Sequence, residues 1–433
     1  MRLTALWGAL LAVALPAAAC AQASAPAGAL PITTPARAVE AALARSPALR
    51  GAGASREAVR GDALQARLRP NPEASLVVEN FGGIGGRGDY RGGQQVESTL
   101  GVSQRLELGG KRLARIALAG RNGDVATLDY EAARLDLARD VVGALADAAA
   151  AARNVEIEKE RARLAGETLR VARGRVDAGK EPLLQVRRAE VARATADIAV
   201  ERAHREAEVS ARSLAVLLGL PQVDLPPRQP WFEDIGPEPR PPLPADPLAR
   251  LGGNPDLVRL EAGIAQRRAD LSLQRANAVP DVTLQGYVRR FEAGRETAFV
   301  AGASIPLPIN DRNQGGIARA QAEATRAEAE AERGRLVLAA SLLAAERRLD
   351  LAWRTVASLR RTSLPAAEQA ARFAAGGFAE GKFGFLEVLD AQRSLSDTRT
   401  LLNDALRDYH ARRAEVDRLR GRMAGLGNEG GNS

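Results

Sequence analysis

Hydrophobic and polar positions follow two periods along this chain. A helical period runs from about Ala38 to Arg69, and Pro70 and Pro72 end it. Ala74 to Asn80 is short and rich in Val and Leu, and Phe81 to Gln95 is dense in glycine. Leu100, Val102, Leu106 and Leu108 then alternate with polar residues, so the pattern predicts a strand, a loop and a strand. After Gly109-Gly110 the helical period returns from about Lys111 to Gly174, with Leu128, Leu135 and Val142 in heptad spacing. The chain reverses around Asp177 to Pro182 and continues as a helix from about Leu183 to Leu218.

The whole order then repeats. Ser46-Pro47-Ala48-Leu49 recurs as Asn254-Pro255-Asp256-Leu257, Pro72 as Pro280, and Gly179-Lys180 as Gly381-Lys382. The second copy predicts a helix to Ala278, strands Val282 to Val288 and Thr297 to Ile305, a long helix from about Asn313 to Ala375, a glycine-rich turn, and a helix from about Phe385 to Met423. Val388, Leu395, Leu402, Tyr409, Val416 and Met423 keep strict heptad spacing in that last helix, the register of knobs-into-holes packing. The repeats span 37–220 and 248–424, joined by a proline-rich connector at 221–247 and followed by a polar tail at 425–433.

Lengths suggest an architecture. The long helix of each copy has about 63 residues, roughly 95 Å, and the two shorter helices together match it, so two short helices stacked end to end can flank one long one. The expected fold is mainly α with a small β part. Four alternating strands are too few to close a barrel in lipid, where an open sheet edge leaves backbone groups unsatisfied. Three chains would supply twelve strands, with Leu100, Val102, Leu106, Val282, Leu284, Phe299 and Ile305 facing lipid. A small soluble sheet capping the helices is the other reading of the same strands.

Composition narrows the class. Aromatic residues are only 3% of the chain, which favours coiled-coil seams over a compact core. The net charge of +8 comes from arginines interleaved with Glu and Asp on helical faces, a solvated pattern and not a nucleic-acid stripe. Arg2 and the apolar run Leu3 to Ala19 read as a signal peptide at 1–19, followed by an Ala/Pro-rich tether at 20–36. Cys20, the only cysteine, stands where a lipoprotein signal places its lipid-modified residue; ordinary cleavage near Ala19 or Ala23 is the other reading. With one Cys and only His204 and His410, both expected on coiled-coil surfaces, no soft-ligand metal site assembles. No Walker loop, no GxSxG and no catalytic triad is present, so an enzyme is not expected and no cofactor is implied.

The duplicated helix–strand–strand–long-helix–turn–helix order, the signal peptide and the proline-rich connector together resemble the TolC family of outer-membrane efflux channels, across essentially the whole mature chain. Glu79-Asn80-Phe81-Gly82-Gly83 and the run from Glu97 through Leu106-Glu107-Leu108-Gly109-Gly110-Lys111-Arg112 are similar to its CzcC-like, heavy-metal cation branch. The resemblance implies a homotrimer with a twelve-stranded barrel in outer-membrane lipid and a long coiled-coil α-helical barrel in the periplasm. It also implies docking to a periplasmic adaptor (membrane fusion) protein and an inner-membrane RND pump, with export of cobalt, zinc or cadmium.

In that family acidic residues at the start of the last helix narrow the periplasmic entrance, and Glu387 and Asp390 match those positions. A carboxylate ring at a pore mouth favours cations; an ordinary charged helix face is the plainer reading. Gln185 and Arg188 occupy the equivalent places in the first copy, and Arg188 is a candidate to lock either carboxylate in a closed state. Gly179 and Lys180, with Glu380, Gly381 and Lys382, match the hairpin tips that meet the adaptor. Two other functional readings share the helical features: the same channel with organic drugs or dyes as cargo, and a secreted coiled-coil scaffold without a pore.

Overall fold

The computed structural model describes residues 34–81, 95–226, 228–238, 249–251 and 253–426. Cys20, the signal peptide and most of the glycine-rich loop after Phe81 lie outside them. The first copy comprises α1 (Pro35–Arg45), α2 (Pro47–Arg67), β1 (Glu73–Glu79), β2 (Glu97–Leu106), α3 (Lys111–Asp177) and α4 (Leu183–Leu218). A short α5 (Pro230–Glu233) lies in the connector. The second copy comprises α6 (Pro255–Asn277), β3 (Val282–Phe291), β4 (Glu296–Ser304), α7 (Gln314–Ser358), α8 (Leu364–Glu380) and α9 (Phe385–Leu419).

Proline accounts for two departures from the expected helices. The first helical stretch is broken at Ser46, whose extended backbone (ψ 125°) is what a following proline requires, and Pro47 opens α2 in its first turn. The long helix of the second copy contains a single π-turn at Leu359–Ser363, just before Pro365. Pro365 lacks an N–H and its ring crowds the preceding turn; the wider turn absorbs both. The glycine-rich reversal also lies later than expected. Gly376 and Gly377 remain helical, and Phe383 folds back so closely that a Cβ on Gly377 would lie 2.2 Å from its ring. α7, the π-turn and α8 together still match α3, which at 67 residues is about 100 Å long.

The duplication extends to how each copy closes on itself. Gly219 ends α4 in the left-handed conformation (φ +64°), and a Cβ there would sit 2.9 Å from the Arg45 carbonyl oxygen, just before Ser46-Pro47. Gly421, beyond α9 (φ +69°), would meet the Gly253 carbonyl oxygen at 2.2 Å, just before Asn254-Pro255. Asn254 is fully buried: its Oδ1 accepts from the Asp256 N–H at 2.7 Å to cap α6, and its Nδ2 donates to Leu419 O at 2.7 Å. The closing turn explains why the heptad series Val388, Leu395, Leu402, Tyr409 and Val416 is buried in α9 while Met423 lies past the helix end.

α3 is the spine. It packs along α2 and α6 in one half of its length and along α4 and α9 in the other, and Ala138, Val141, Leu145 and Ala146 are wholly buried in its seams. α7 flanks α6, and α8 flanks α9. The free flanks are therefore α2 and α4 on one side and α7 and α8 on the other.

The strands form one antiparallel sheet in the order β1-β2-β3-β4. The register pairs Leu76 with Leu100, Leu100 with Val288 and Val288 with Phe299. Every residue expected to face lipid falls on the face defined by that row, with Ile305 continuing it past the end of β4. Phe299 is 85% exposed and Leu76 69%, and apolar exposure on this scale marks a face meant for another apolar phase. The opposite face is polar. There Arg289 reaches Thr99 Oγ1 at 3.1 Å, Glu97 at 3.3 Å and Glu79 at 3.8 Å. Tyr287 lies flat over Gly101, where a Cβ would be 2.0 Å from its ring.

The connector is more than a spacer. Phe232, Trp231, Tyr409 and His410 form a cluster that pins α5 to α9, and Trp353 Nε1 donates to Gly236 O at 3.3 Å. His204 is exposed as expected, whereas His410 is buried. Its Nε2 lies 2.9 Å from the Phe232 carbonyl oxygen, which can only accept, so the neutral ring carries its proton on Nε2. Burial pushes the His410 pKa down to about 4. An unfolded histidine binds a proton below about pH 6.5, so this contribution to stability is complete above that pH and is lost as pH falls toward 4. It reaches about 3 kcal/mol at most. Thermal melts across pH should show the parent losing that stability relative to His410→Gln between pH 6.5 and 4; parallel curves would refute the assignment.

Candidate pore entrance

Two helical hairpins, α3–α4 and α8–α9, end side by side at the pole opposite the sheet. Each tip has the same cap. Gly179 (φ +70°) and Gly381 (φ +78°) take the left-handed conformation, and Lys180 N–H and Lys382 N–H donate back to Arg175 O at 2.9 Å and Gly377 O at 2.7 Å. This six-to-one closure requires glycine and leaves the lysines outward, which is why Gly-Lys recurs. Lys180, Glu380 and Lys382 are exposed, and the Lys382–Glu380 contact of 2.5 Å joins two exposed side chains and adds little stability.

Beneath the tips Ala172, Ala189, Ala374, Phe378, Phe385 and Val388 make a small core, with Phe378 and Phe385 edge to face at 5.9 Å. Arg175 ties the two hairpins over it. One guanidinium nitrogen donates to Phe378 O at 2.8 Å, another to Glu181 at 3.2 Å, and the group lies 4.9 Å from the centre of the Phe378 ring. A second tie, Gln392 Nε2 to Thr168 Oγ1 at 2.9 Å, joins α9 to α3. Neither residue carried a signal in the sequence, because each acts on a partner about 200 residues away in the chain.

Glu387 and Asp390 stand exposed on the first turns of α9, where a helix N-terminus favours negative charge. Neither is paired with Arg188 or any other cation within one protomer among the described residues. Arg188 is likewise exposed on α4, and Gln185, half-buried above the first tip, has a buried Oε1 without a donor. Glu387, Asp390 and Arg188 thus stand unpaired near the tip, with Leu183, Leu184, Phe383 and Leu386 exposed around them.

The profile of the family described as "Outer membrane efflux protein" matches residues 38–220 and 249–422. The chain belongs to this family. It is 31% identical over 367 residues to the cobalt-zinc-cadmium resistance protein CzcC of Cupriavidus metallidurans, covering 84% of each chain. With the nickel-cobalt-cadmium resistance protein NccC of Alcaligenes xylosoxydans xylosoxydans it shares 29% identity over 285 residues, 64% of this chain and 62% of that one. Among solved structures, the outer-membrane channel OprN superposes with a TM-score of 0.73 at 23% identity, covering 89% of both chains. The channel CusC gives 0.73 at 18%, covering 90% of this chain and 92% of that one. These two likenesses concern the fold. As a member of the outer membrane efflux protein family, the chain is an outer-membrane protein with a large periplasmic helical part, a passive conduit and not an enzyme.

Arg175→Ala removes charge-assisted bonds worth about 2 kcal/mol from a half-buried site. Hydrogen exchange should quicken about thirtyfold at both hairpin tips and remain unchanged in the sheet. Unchanged exchange at the α8–α9 tip would show that Arg175 does not tie the hairpins.

Proposed function

We propose that this chain is the outer-membrane channel of a tripartite, RND-type efflux system that exports heavy-metal cations, and that it works as a homotrimer. The observation that carries the reading is the two-faced sheet with unpaired edges on β1 and β4. One face carries the apolar row from Leu76 to Phe299, with Gln104 and Arg290 toward its ends, and the other is mostly polar, as the outside and lumen of a water-filled barrel require. The edges call for other copies of the same sheet, since lipid tolerates no open edge. The helical flanks support the same assembly. Leu184, Val191 and Ile198 repeat in heptad spacing along exposed α4, and Leu336, Leu351 and Phe373 stand exposed on α7 and α8.

The metal assignment draws on the resistance proteins to which the chain is similar. Glu387 and Asp390 form the entrance constriction with Gln185 and Arg188, and the tips at Gly179, Lys180, Glu380, Gly381 and Lys382 meet the periplasmic adaptor. The cation path then begins at a ring of carboxylates that three chains supply.

Deleting the gene in a strain without redundant exporters should lower tolerance to cobalt, zinc or cadmium, and the intact gene should restore it. Lost tolerance to dyes with metal tolerance intact would move the cargo to organic molecules.

Replacing Glu387 and Asp390 by Ala removes fixed charge from a narrow entrance and costs little stability, because both side chains are exposed. Single-channel recordings in planar bilayers should show altered cation selectivity and weaker block by divalent cations from the periplasmic side. Identical selectivity and block in parent and variant would reduce the two residues to a solvated helix face.

A further inference from the structure

β2 and β4 leave the sheet at equivalent places in the two copies, and the chain that follows each is built differently. After β2, the run Leu106-Glu107-Leu108-Gly109-Gly110-Lys111 is clamped to protein. Glu107 accepts two bonds from Arg115, at 2.6 and 3.1 Å, and Asp281 accepts from Lys111 Nζ at 2.6 Å and from the Leu108 N–H at 3.2 Å. After β4 the chain reads Ile305-Pro306-Leu307-Pro308-Ile309 and stays open. Leu307 is 74% exposed and Ile309 72%, against 40% for Leu108.

Thickness says what the open segment is for. From Phe299 to Ile305 a strand rising about 3.3 Å per residue and tilted about 40° covers about 15 Å of the membrane normal, whereas the apolar band of an outer-membrane barrel is about 25 Å tall. Past Phe299 the row turns polar, where Thr297 pairs with Arg290, so the balance has to come from the helical end. Continued to Ile309 at the same rise and tilt, the apolar series reaches about 25 Å.

Backbone groups that meet hydrocarbon must not be left unpaired. Pro306 and Pro308 have no N–H to leave. The Ile309 N–H donates to Leu307 O at 2.9 Å, and Pro308 O accepts from Arg312 Nε at 3.0 Å. That last bond holds the exposed Arg312 guanidinium just beyond the apolar residues, at the depth where a bilayer places its phosphates. The neighbouring Asp311 is turned to protein, its Oδ1 accepting from the Asn313 N–H at 2.8 Å.

We propose that residues 305–312 are a lipid-docking segment: Leu307 and Ile309 enter the inner leaflet of the outer membrane, and Arg312 binds the phosphate of one of its phospholipids. The proposal rests on the reading of the sheet as a third of a membrane barrel. A neighbouring copy is the other occupant in reach, because the chain after β4 adjoins the chain before β1 of the next protomer. Pro70 and Pro72 stand there and Pro306 and Pro308 here, so neither side extends the ladder between protomers. The lipid-facing row runs straight into the segment, and a guanidinium at its end complements phosphate.

Tryptophan substitutions test this in the full-length assembly, reconstituted in vesicles of phosphatidylcholine and phosphatidylglycerol whose acyl chains carry bromine, a contact quencher of tryptophan fluorescence. Leu307→Trp and Ile309→Trp should lose their added fluorescence to the same degree as Phe299→Trp, which reports the sheet alone. Trp231 and Trp353, at the connector, supply the unquenched baseline. Quenching of Phe299→Trp with the other two untouched would overturn the docking segment, keep the barrel, and hand the segment to a neighbouring copy. No quenching at any of the three would discard barrel and segment together. Arg312→Gln, at an exposed position, should weaken the first phosphatidylglycerol bound per chain about fivefold in native mass spectrometry. Equal binding by parent and Arg312→Gln would overturn the phosphate contact.

Discussion

The unpaired edges of β1 and β4 constrain everything else in this molecule. A backbone N–H or C=O facing hydrocarbon without a partner costs several kcal/mol, and each edge carries a row of them. The apolar face from Leu76 across to Phe299 commits the sheet to hydrocarbon, so the edges must be satisfied by neighbouring sheets. Once that is required, the helices below have to close at the same circumference. Paired seams along a continuous α3, with α2, α6, α4 and α9 packed on it, provide a wall of that kind from few aromatic and many alanine residues.

Duplication supplies the wall cheaply in sequence, and its imperfections are where function enters. Gly219 against Arg45 and Gly421 against Gly253 close the two copies in the same way. The long helices differ: α3 is continuous, whereas its counterpart carries a π-turn ahead of Pro365. The first turns after each hairpin differ too, with Gln185 and Arg188 in one copy and Glu387 and Asp390 in the other. In the proposed trimer, a ring built from these copies alternates in charge around the axis.

What the sequence displayed was whatever local periodicity encodes. Seven side chains expected on the lipid face share one face, because strand alternation admits only two choices and apolar residues chose one. The heptads of α9 were legible for the same reason. Pro47 and Pro365 were visible but were read through, since the helical period resumes in phase on the far side of each. Long-range contacts left no trace. Arg175, Gln392 and the burial of His410 all depend on segments distant in the chain, and a lone histidine on a polar-looking helix gives no sign that an α5 tryptophan and phenylalanine cover it.

The ties at the hairpin tips limit how the entrance can widen. Arg175 and Gln392 join the α3–α4 and α8–α9 hairpins of one protomer, and the buried core of Phe378, Phe385 and Val388 lies between them. Separating those hairpins breaks charge-assisted bonds and exposes aromatic surface. The outward faces of α4 and α8 show no comparable tie among the described residues, and the charges of Glu387, Asp390 and Arg188 stand exposed beside the core just below the tips. Motion costs least where the fewest buried contacts break. In the proposed trimer the softer joint is therefore the one between protomers, with each hairpin pair moving as a unit and the polar rim, not the packed core, meeting water if the entrance opens.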